Sequence, residues 1–407
     1  MIKPQTLKGF RDFLPADAIK RQFVIGKMKQ VFERFGFDPL ETPALEYAET
    51  LLGKYGNEAD KLLYLFEDNG GRNVGLRYDQ TVPLSRVMAQ YGSAGSPQVL
   101  RAENTQKGRY REFLQCDIDT VGTDSPLADA EVIACTLEVM KALGFENVIM
   151  LINDRRLFED LGLTKKQMII IDKLDKIGDT GVIKELSEIG TKDPEGLFKI
   201  IRESMPSERL SILFATLERQ GYKQGKNFEF TPFLARGLDY YTSTIFELKT
   251  KALLSLAGGG RYDKLIGQFS GQDAPAVGIA FGFDRIVEAM EELGLLPDKK
   301  TTTQVLVTMF SPELFNNAIE IANKFRISKI NVEVFPEETK LDKQLKYADR
   351  KGIPYAIIAG PEEVKSGVVK LKNMQTQEQV ELTVDEVIEK LTSNLIQFDR
   401  LIPGIDG

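Results

Sequence analysis

The chain has 407 residues, too many for one hydrophobic core, so we expect two or three domains. Its 53 basic and 60 acidic residues give a net charge of −7, which excludes a global attraction to nucleic acid and leaves only local basic patches for RNA. The sequence contains no histidine, which excludes imidazole bases and histidine-ligated metals, and no stretch approaches the roughly 20 apolar residues of a membrane span.

The N-terminal segment, residues 1–5, lacks the apolar run and small-residue cleavage site of a secretory signal. We therefore predict a cytoplasmic protein that does not associate with a membrane. The two cysteines, Cys116 and Cys135, are too few for a four-cysteine zinc site, and a disulfide is unusual in a reducing compartment. We interpret both as buried thiols.

The first predicted element is an amphipathic helix from Pro15 to Phe35, which Gly36 is placed to end. Short β-rich runs separated by glycine- and asparagine-containing turns follow it, at residues 62–66, 74–78, 98–101 and 112–121. Ser125 and Pro126 then predict the start of a helix that Gly144 closes. This order indicates an α+β domain built on an antiparallel sheet.

Residues 154–226 form a Lys/Glu-rich segment of helical texture, which we interpret as a helical insertion. Strand patterns resume at Phe228, 244–248 and 277–281, and a helix starts near Phe283. The α+β domain therefore has two parts, residues 1–153 and 227–298.

A Pro/Lys/Thr-rich linker near residues 297–303 precedes a different pattern. The predicted elements are strands at 304–309, 331–335 and 355–359, a helix capped by Ser311 and a helix at 341–351. This alternation is typical of βαβ units with parallel pairing, so we predict a separate α/β domain at residues 303–395 with a tail at 396–407.

The segment with the most chemistry is the hairpin at residues 101–119. Four basic residues would repel one another there unless they bound an anion, and a polyphosphate would satisfy them, although a solvated hairpin is the simpler alternative. The four are Arg101, Lys107, Arg109 and Arg111. On the returning strand, Gln115, Asp117 and Asp119 share one face by the two-residue period, which suggests a polar pocket floor.

Two further clusters combine glycines with arginines. Residues 235–241 contain Arg236, Tyr240 and Tyr241, and residues 258–263 follow with three consecutive glycines before an arginine and a tyrosine. Paired tyrosines are more often core than ligand, but glycines permit close approach of a substrate and the arginines require an anion. In residues 278–285, Arg285 lies in the first turn of a helix, where its positive charge opposes the helix dipole. We therefore expect that something other than helix stability places an arginine there.

These segments resemble the class II aminoacyl-tRNA synthetases. The hairpin resembles their motif 2, residues 278–285 resemble motif 3, and residues 15–43 resemble the dimer-forming motif 1. Residues 236–241 together with 257–263 are similar to the peptides peculiar to the histidyl-tRNA synthetase family. The resemblance extends from residue 7 to about 395 and is weak in the insertion and the last dozen residues. It implies a class II synthetase fold with an anticodon-binding-like C-terminal domain.

The resemblance implies a function and its partners. The expected reaction is the ATP-dependent ligation of L-histidine to tRNA(His) through a histidyl-adenylate, with release of AMP and diphosphate. The implied partners are L-histidine, ATP with its bound Mg²⁺, tRNA(His) and a second copy of the chain in a homodimer. No zinc or other metal ligated by the protein is expected.

Residue roles follow from the same resemblance. Arg101 and Arg236 are expected to grip the α-phosphate of ATP as the catalytic pair, with Arg236 also touching histidine. The other ATP contacts are expected from Glu103 and Phe113 at the adenine and from Arg109 and Arg285 at the outer phosphates. The histidine contacts are expected from Asp79, Thr81 and Gln115 at the α-ammonium and from Asp119, Tyr240 and Tyr241 at the imidazole.

The RNA contacts of the last domain are predicted on one helix. Lys343, Lys346 and Arg350 share a face by their spacing, which suits phosphate binding, although a solvated helix is the simpler alternative. The resemblance of this domain to an anticodon-binding module favours RNA.

Two other functions are compatible with parts of this sequence. One is a non-catalytic paralogue that serves as the regulatory subunit of ATP phosphoribosyltransferase; such paralogues generally lack the C-terminal domain and lose adenylate residues. The other is a histidine-sensing domain detached from its enzyme. The C-terminal domain and the three arginines Arg101, Arg236 and Arg285 favour the synthetase.

Overall fold

The computed structural model of the chain describes residues 2–54, 62–91, 99–100, 112–235, 240–250 and 255–401; for 99–100, 112–113 and 394–401 it describes the backbone alone. The chain divides into two compact units, Met1–Asp12 with Lys27–Leu295, and Phe13–Gly26 with Leu296–Gly407. Helix α1 (Pro15–Arg34) has residues in both. It ends as predicted before Gly36, whose φ of 77° lies in the left-handed region that favours glycine.

A small antiparallel sheet in the first unit has the order β1-β3-β2. Its strands are β1 (Leu45–Tyr47), β2 (Tyr64–Glu67) and β3 (Asn73–Leu76), and the nearby helices are α2 (Ala48–Leu51) and α3 (Thr81–Tyr91). Two further strands, β4 (Val99–Leu100) and β5 (Glu112–Phe113), pair with each other in a separate antiparallel ladder. Helices α2 and α3 cover one face of this sheet, because Leu51 lies against Gly75 and Arg86 forms an ion pair of 2.6 Å with Glu46.

The main sheet of the first unit has the order β6-β11-β10-β9-β7-β8. Its strands are β6 (Gln115–Val121), β7 (Val148–Asp154), β8 (Phe228–Phe230), β9 (Thr244–Thr250), β10 (Ser255–Arg261) and β11 (Ala276–Gly282). The predicted antiparallel pairing is confirmed for four of the five neighbouring pairs, whereas β7 and β8 are parallel. Parallel pairing arises there because a helical segment connects β7 to β8 as a crossover.

The two faces of the main sheet differ in polarity. One face carries the register row Ile118, Ile279, Gly259, Phe246 and Ile152, and it is apolar. Helix α4 (Pro126–Ala142) packs against strands of the sheet, and Phe32 of α1 contacts Phe281 with ring centroids 5.6 Å apart. Alternation along β6 directs Gln115, Asp117 and Asp119 to the opposite face, which we call the site face.

The helices flanking the main sheet agree with the predicted boundaries. Ser125 caps α4 by accepting a hydrogen bond of 3.3 Å from the Leu127 amide, and the chain leaves the helix at Gly144 with a φ of 90°. After β10 come α10 (Gly267–Ser270) and, beyond β11, α11 (Phe283–Glu292).

The segment between β7 and β8 is helical, as predicted. Its helices are α5 (Arg156–Asp160), α6 (Lys165–Ile171), α7 (Leu174–Glu188), α8 (Pro194–Arg202) and α9 (Glu208–Arg219). They enclose a core of their own, which includes Phe158, Ile171, Val182, Leu186 and Ile201. This separate core lets the segment be inserted without rebuilding the sheet.

The second unit contains a sheet of order β13-β12-β14-β15-β16, in which β12 pairs parallel with both β13 and β14 as predicted. Two antiparallel strands extend it. Its elements are β12 (Val305–Val307), α12 (Phe315–Ile327), β13 (Val332–Val334), α13 (Leu341–Lys351), β14 (Tyr355–Ile358), α14 (Pro361–Ser366), β15 (Val369–Asn373), β16 (Gln379–Leu382) and α15 (Val384–Leu401).

One predicted helix start in this unit is wrong. Ser311 makes no side-chain capping hydrogen bond, and a 3₁₀ turn, Pro312–Leu314, precedes α12. Across both units, no described helix is long and apolar enough to cross a membrane.

Candidate active site

Glycines in the two central strands let neighbouring side chains lie close against the site face. Asp119 of β6 lies directly opposite Gly278 of β11, which in turn pairs with Gly260 of β10. A Cβ on Gly278 would overlap the Asp119 carboxylate, and one on Gly260 would lie 3.1 Å from the Tyr241 ring. The glycines therefore let a carboxylate and a tyrosine lie close against the sheet, where an added side chain would displace them.

The carboxylate of Asp119 is held by a tyrosine that we did not predict as a site residue. The Tyr262 hydroxyl donates a hydrogen bond of 2.6 Å to Asp119 Oδ1. The other carboxylate oxygen, Oδ2, is buried and accepts no hydrogen bond from the residues that the structure describes. A buried carboxylate oxygen without a donor is costly, so a ligand bearing an N–H group would stabilise it.

Burial raises the pKa of Asp119 to about 7; the negative charge of Asp79 raises it further, while the Tyr262 hydrogen bond opposes the shift. The pKa of Tyr262 is raised well above its ordinary value, first by burial and then by the charge of Asp119, so this hydroxyl keeps its proton and remains a donor. The pair therefore fixes the direction of its own hydrogen bond. It leaves the second carboxylate oxygen as the acceptor for a ligand.

Asp79 and the paired tyrosines lie beside this carboxylate. Tyr240 donates a hydrogen bond of 3.1 Å to Asp79 Oδ2, and Asp79 Oδ1 accepts one of 3.1 Å from the Val82 amide at the start of α3. The Tyr240 ring lies 5.0 Å from that of Tyr241 and 6.2 Å from that of Tyr262, both in edge-to-face geometry. The structure thus brings Asp79, Tyr240 and Tyr241 together around Asp119.

Gln115 extends the polar row along β6. Its amide donates a hydrogen bond of 2.9 Å to Asp117, and its backbone carbonyl accepts one of 3.2 Å from Gln80. The Gln80 contact fastens the chain before Thr81 to β6, so residues 79–81 and Gln115 border the same part of the site face. The predicted polar floor is therefore present, with Gln115 and Asp117 both buried.

The loop before residue 236 is fastened to the sheet. Asn153 of β7 lies on the site face, in the register row of Asp119, and its amide donates hydrogen bonds of 3.0 Å to the carbonyls of Pro232 and Leu234. Tyr240 continues the chain after residues 236–239 and is buried in the tyrosine cluster. Arg236 itself lies outside the described residues.

The two arginines that follow glycine-rich strands differ in their contacts. Arg261 is 1% exposed and donates to Asp129 at 3.0 and 3.2 Å, to Asp263 at 3.1 Å and to two backbone carbonyls. The anion that this arginine requires is therefore supplied by carboxylates of the protein. Removing one partner of such a buried pair costs about 3–5 kcal/mol, so Arg261 holds the end of β10 and with it Tyr262.

Arg285, the third residue of α11, donates a hydrogen bond of 3.2 Å to the Ser255 carbonyl. Its side chain passes close to Gly282, which pairs with Gln115 at the end of the polar row. The neighbouring Asp284 forms an ion pair of 2.8 Å with Arg11 and accepts a hydrogen bond from the Leu114 amide. Arg285 thus lies at the opposite end of this face from Asp119.

Several predicted ligands remain untested by the structure. Arg101, Glu103 and Arg109 lie outside the described residues, and Phe113 is described only through its backbone in β5. In the second unit, Lys346 of α13 forms an exposed ion pair of 2.7 Å with Asp342, which offsets part of the positive charge predicted with Lys343 and Arg350.

The cysteines and the acidic residues show no metal centre in the described ranges. No group of three or more Cys, Asp or Glu side chains there is arranged to hold a metal ion. Cys135 is fully buried, as predicted, whereas Cys116 is only partly buried. Burial and nearby carboxylates raise the pKa of the Cys135 thiol far above its ordinary range, so this cysteine is unreactive.

Two family models match the chain. Residues 9–194 and 201–286 match "Histidyl-tRNA synthetase", and residues 304–394 match "Anticodon binding domain". The histidine–tRNA ligase of Rhodopirellula baltica is 39% identical over 93% of this chain and 95% of its own length, and that of Aeropyrum pernix is 38% identical over 99% of both. The crystal structure of histidyl-tRNA synthetase from Nostoc sp. PCC 7120 superposes with a TM-score of 0.83 at 29% identity, covering 97% of this chain and 100% of that one.

Proposed function

The chain belongs to the histidyl-tRNA synthetase family, and we propose that the site face described above is where it activates L-histidine for transfer to tRNA(His). The enzyme is an aminoacyl-tRNA synthetase, a ligase of protein biosynthesis. The observation that carries the location is the buried Asp119 Oδ2, which accepts no hydrogen bond from the described residues.

Histidine is proposed to be recognised at its two ends, the imidazole ring and the α-ammonium group. Imidazole has one donor and one acceptor nitrogen, so Asp119 accepts from its N–H while Tyr241 donates to the other nitrogen, with Tyr240 and Tyr262 holding the carboxylates. Asp79, Thr81 and Gln115 receive the α-ammonium. Both nitrogens of the ring are then satisfied, and an amino acid lacking either group leaves a buried polar atom unpaired, which a site of this kind rejects strongly.

ATP is proposed to lie along the same face toward Arg285. Glu103 and Phe113 hold the adenine, Arg109 and Arg285 bind the outer phosphates, and Arg101 and Arg236 grip the α-phosphate. Asn153 supports the assignment of Arg236, since it fastens the preceding loop over the face that holds Asp119. Mg²⁺ enters bound to the phosphates of ATP, where it neutralises part of their charge, rather than in a site made by the protein alone.

The chemistry follows from this arrangement without an imidazole base. The histidine carboxylate oxygen attacks the α-phosphorus, the bond to the bridging oxygen breaks, and diphosphate leaves, while arginines stabilise the charge on the α-phosphate oxygens. A hydroxyl of the terminal adenosine of tRNA then attacks the adenylate carbonyl and AMP leaves. A phosphate oxygen takes the hydroxyl proton, so no catalytic histidine is needed.

The regulatory paralogue of histidine biosynthesis is not favoured. The match to the anticodon-binding model spans residues 304–394, and relatives named as histidine–tRNA ligases cover nearly the whole chain. Histidine-dependent exchange of diphosphate into ATP separates the two functions. The synthetase catalyses this exchange, whereas a regulatory subunit or a detached histidine sensor binds histidine without it.

We propose that the chain has four regions: a catalytic domain, a helical insertion, an anticodon-binding domain and a tail. Residues 1–153 and 227–298 form the catalytic domain, residues 154–226 the helical insertion, and residues 303–395 the anticodon-binding domain, with residues 396–407 as a tail. We place the enzyme in the cytoplasm, away from membranes.

In the last domain, Lys343, Lys346 and Arg350 are proposed to contact tRNA phosphates. Changing Lys343 and Arg350 together to glutamate should weaken tRNA binding and reduce the slope of log affinity against log salt by about 1.4, because each phosphate contact contributes about 0.7 on single strands. Measuring tRNA binding from roughly 50 to roughly 200 mM salt tests this prediction. An unchanged slope would count against phosphate contacts on this helix.

A homodimer is proposed through residues 15–43, which resemble the dimer-forming motif 1, and through the exposed face of the small sheet that follows them. Leu45, Tyr47 and Phe66 are 40%, 53% and 48% exposed, and the register places Tyr47 and Phe66 on either side of Val74. The opposite face is covered by α2 and α3, so these large apolar side chains form one patch. A second copy related by a two-fold axis would cover it with the same patch.

A Phe66→Glu variant should therefore halve the mass of the protein in solution, because each copy would bury an unpaired carboxylate in the interface. Light scattering after gel filtration measures this. The matched control is Ile200→Glu in the insertion, at a residue that is 53% exposed, and it should leave the mass unchanged. A Phe66→Glu protein of the same mass as the wild type would contradict this interface.

A further inference from the structure

The second unit has a switch point in its sheet. Strand β12 lies between β13 and β14, and all three are parallel. The chain runs from β12 to β13 on one side and then from β13 to β14 on the other side of β12. In open α/β sheets the carboxyl ends of strands at such a point border a crevice, and this is where ligands bind.

An exposed aromatic residue stands at this point. Phe310 follows β12 and is 46% exposed, although the three residues before it are buried. Its ring lies against Gly360, the second residue after β14, where an added Cβ would lie 3.2 Å from Phe310 Cε2. Any residue can adopt the backbone conformation of Gly360, with φ of −82° and ψ of −178°. A glycine is needed there because the Phe310 ring and the Glu363 carboxylate lie too close for a side chain.

The backbone that carries Phe310 is held firmly. Thr308 donates to the Ile357 carbonyl from its amide at 2.9 Å and from its hydroxyl at 3.0 Å. The buried Gln344 side chain accepts from the Met309 amide at 2.9 Å and donates to the carbonyls of Met309 and Thr339 at 2.6 and 2.9 Å. The loops after β12, β13 and β14 are thus tied together beneath one exposed ring.

We propose that Phe310 is a stacking platform for one unpaired base of the tRNA, which rests on the proposed function of this domain in tRNA binding. Sequence-specific RNA readers stack splayed bases of single-stranded loops on aromatic rings and bind their edges through hydrogen bonds. A ring with a rigid seat loses little conformational entropy when a base covers it.

The charges in the loops that follow β13 and β14 favour a base over a phosphate. The loop after β13 contains the exposed Glu337 and Glu338, and the exposed Glu362 lies two residues beyond Gly360. Carboxylates repel phosphates but accept hydrogen bonds from the amino groups of bases. The phosphates then lie toward Lys343 and Arg350 of α13, whose first turn follows the Glu337–Glu338 loop.

The test measures aminoacylation with a tRNA(His) transcript. Phe310→Ala should lower kcat/KM for tRNA by about 5- to 150-fold, the usual effect of removing one stacking aromatic, and Phe310→Trp should retain it. Histidine-dependent diphosphate exchange should be unchanged in both variants, since it does not involve tRNA. The control is Ile327→Ala, at a residue 84% exposed at the far end of α12, which should charge tRNA normally.

Transcripts with a single abasic nucleotide in the anticodon loop identify the base. One of them should be charged poorly by the wild type and no worse by Phe310→Ala, because the two changes remove the same contact. A Phe310→Ala enzyme with normal kcat/KM for tRNA, a Trp variant as poor as the Ala variant, or strictly additive losses with every abasic transcript would overturn the proposal. A wild-type enzyme that charges no tRNA would instead contradict the proposed function itself.

Discussion

An Arg236→Ala variant is expected to lower histidine-dependent exchange of diphosphate into ATP by about 10²- to 10³-fold or more, while the chain still folds. The guanidinium is proposed to meet the charge that develops on the α-phosphate during attack by the histidine carboxylate. Such preorganised donors act where water is excluded, so their loss is felt mainly in the rate of the chemical step. Diphosphate exchange at saturating ATP and histidine measures that step.

Two further variants make this result specific. Arg236→Lys keeps the positive charge but not the planar fork, so its activity should lie between those of the wild type and the alanine variant. Arg219→Ala is the control, because Arg219 is an exposed arginine at the end of α9 in the insertion, and this variant should exchange diphosphate normally. Near-normal exchange by Arg236→Ala would rule out its assignment to the α-phosphate.

An Asp119→Asn variant is expected to lower kcat/KM for histidine by about 30-fold to several thousand-fold, with KM for ATP unchanged. The amide keeps the shape of the carboxylate but turns one of its two acceptors into a donor. That donor would face either the Tyr262 hydroxyl or the imidazole N–H, both of which need an acceptor. Steady-state diphosphate exchange with histidine and ATP varied in turn measures both constants.

The pH dependence of the same variant gives a second readout. Burial raises the pKa of Asp119 to about 7, so as the pH falls through this value the free enzyme takes up a proton on the proposed imidazole acceptor. The wild-type kcat/KM for histidine should therefore fall on the acid side of pH 7, beyond the decline caused by the titration of histidine itself. Asp119→Asn should show only the latter, and identical profiles for the two proteins would contradict the role of Asp119.

The same pKa has a consequence for stability. Between pH 3.8, the ordinary value for Asp, and about 7, the folded chain holds a proton on Asp119 that the unfolded chain has released. Because the folded state binds more protons in this window, the contribution of Asp119 to the free energy of unfolding falls as the pH rises. Asp119→Asn removes that slope, which denaturant unfolding at several pH values would reveal.

Local patterns predicted the elements well but not all of their pairings. Helix α1 and helix α4 end before Gly36 and Gly144 as expected, because their boundaries depend on residues a few positions away. The parallel pairing of β7 with β8 was not foreseen, since it depends on the path of the helical segment between them. Ser311 was predicted to cap a helix from its type alone, and the 3₁₀ turn that precedes α12 shows that residue type does not determine the start of a helix.

The site shows the same limit. Asp119, Tyr240 and Tyr241 were predicted from motifs, but Tyr262 was missed because its partner lies 143 residues away along the chain. The available signal was its place directly after a glycine-rich strand, where an aromatic residue meets the site face. From the sequence, Arg261 was expected to bind an anionic ligand, and only the folded structure shows that it pairs with Asp129 instead. Pair contacts of this kind depend on strand register, which a single sequence leaves open.

The most direct test of the whole account is aminoacylation of tRNA(His) transcripts by the purified chain, with each of the twenty amino acids offered separately together with ATP and Mg²⁺. The account predicts an alkali-labile ester with histidine and none with the others, because the carboxylate and tyrosine of the site face require a side chain that both donates and accepts a hydrogen bond. Failure to charge with histidine, or comparable charging with another amino acid, would contradict it.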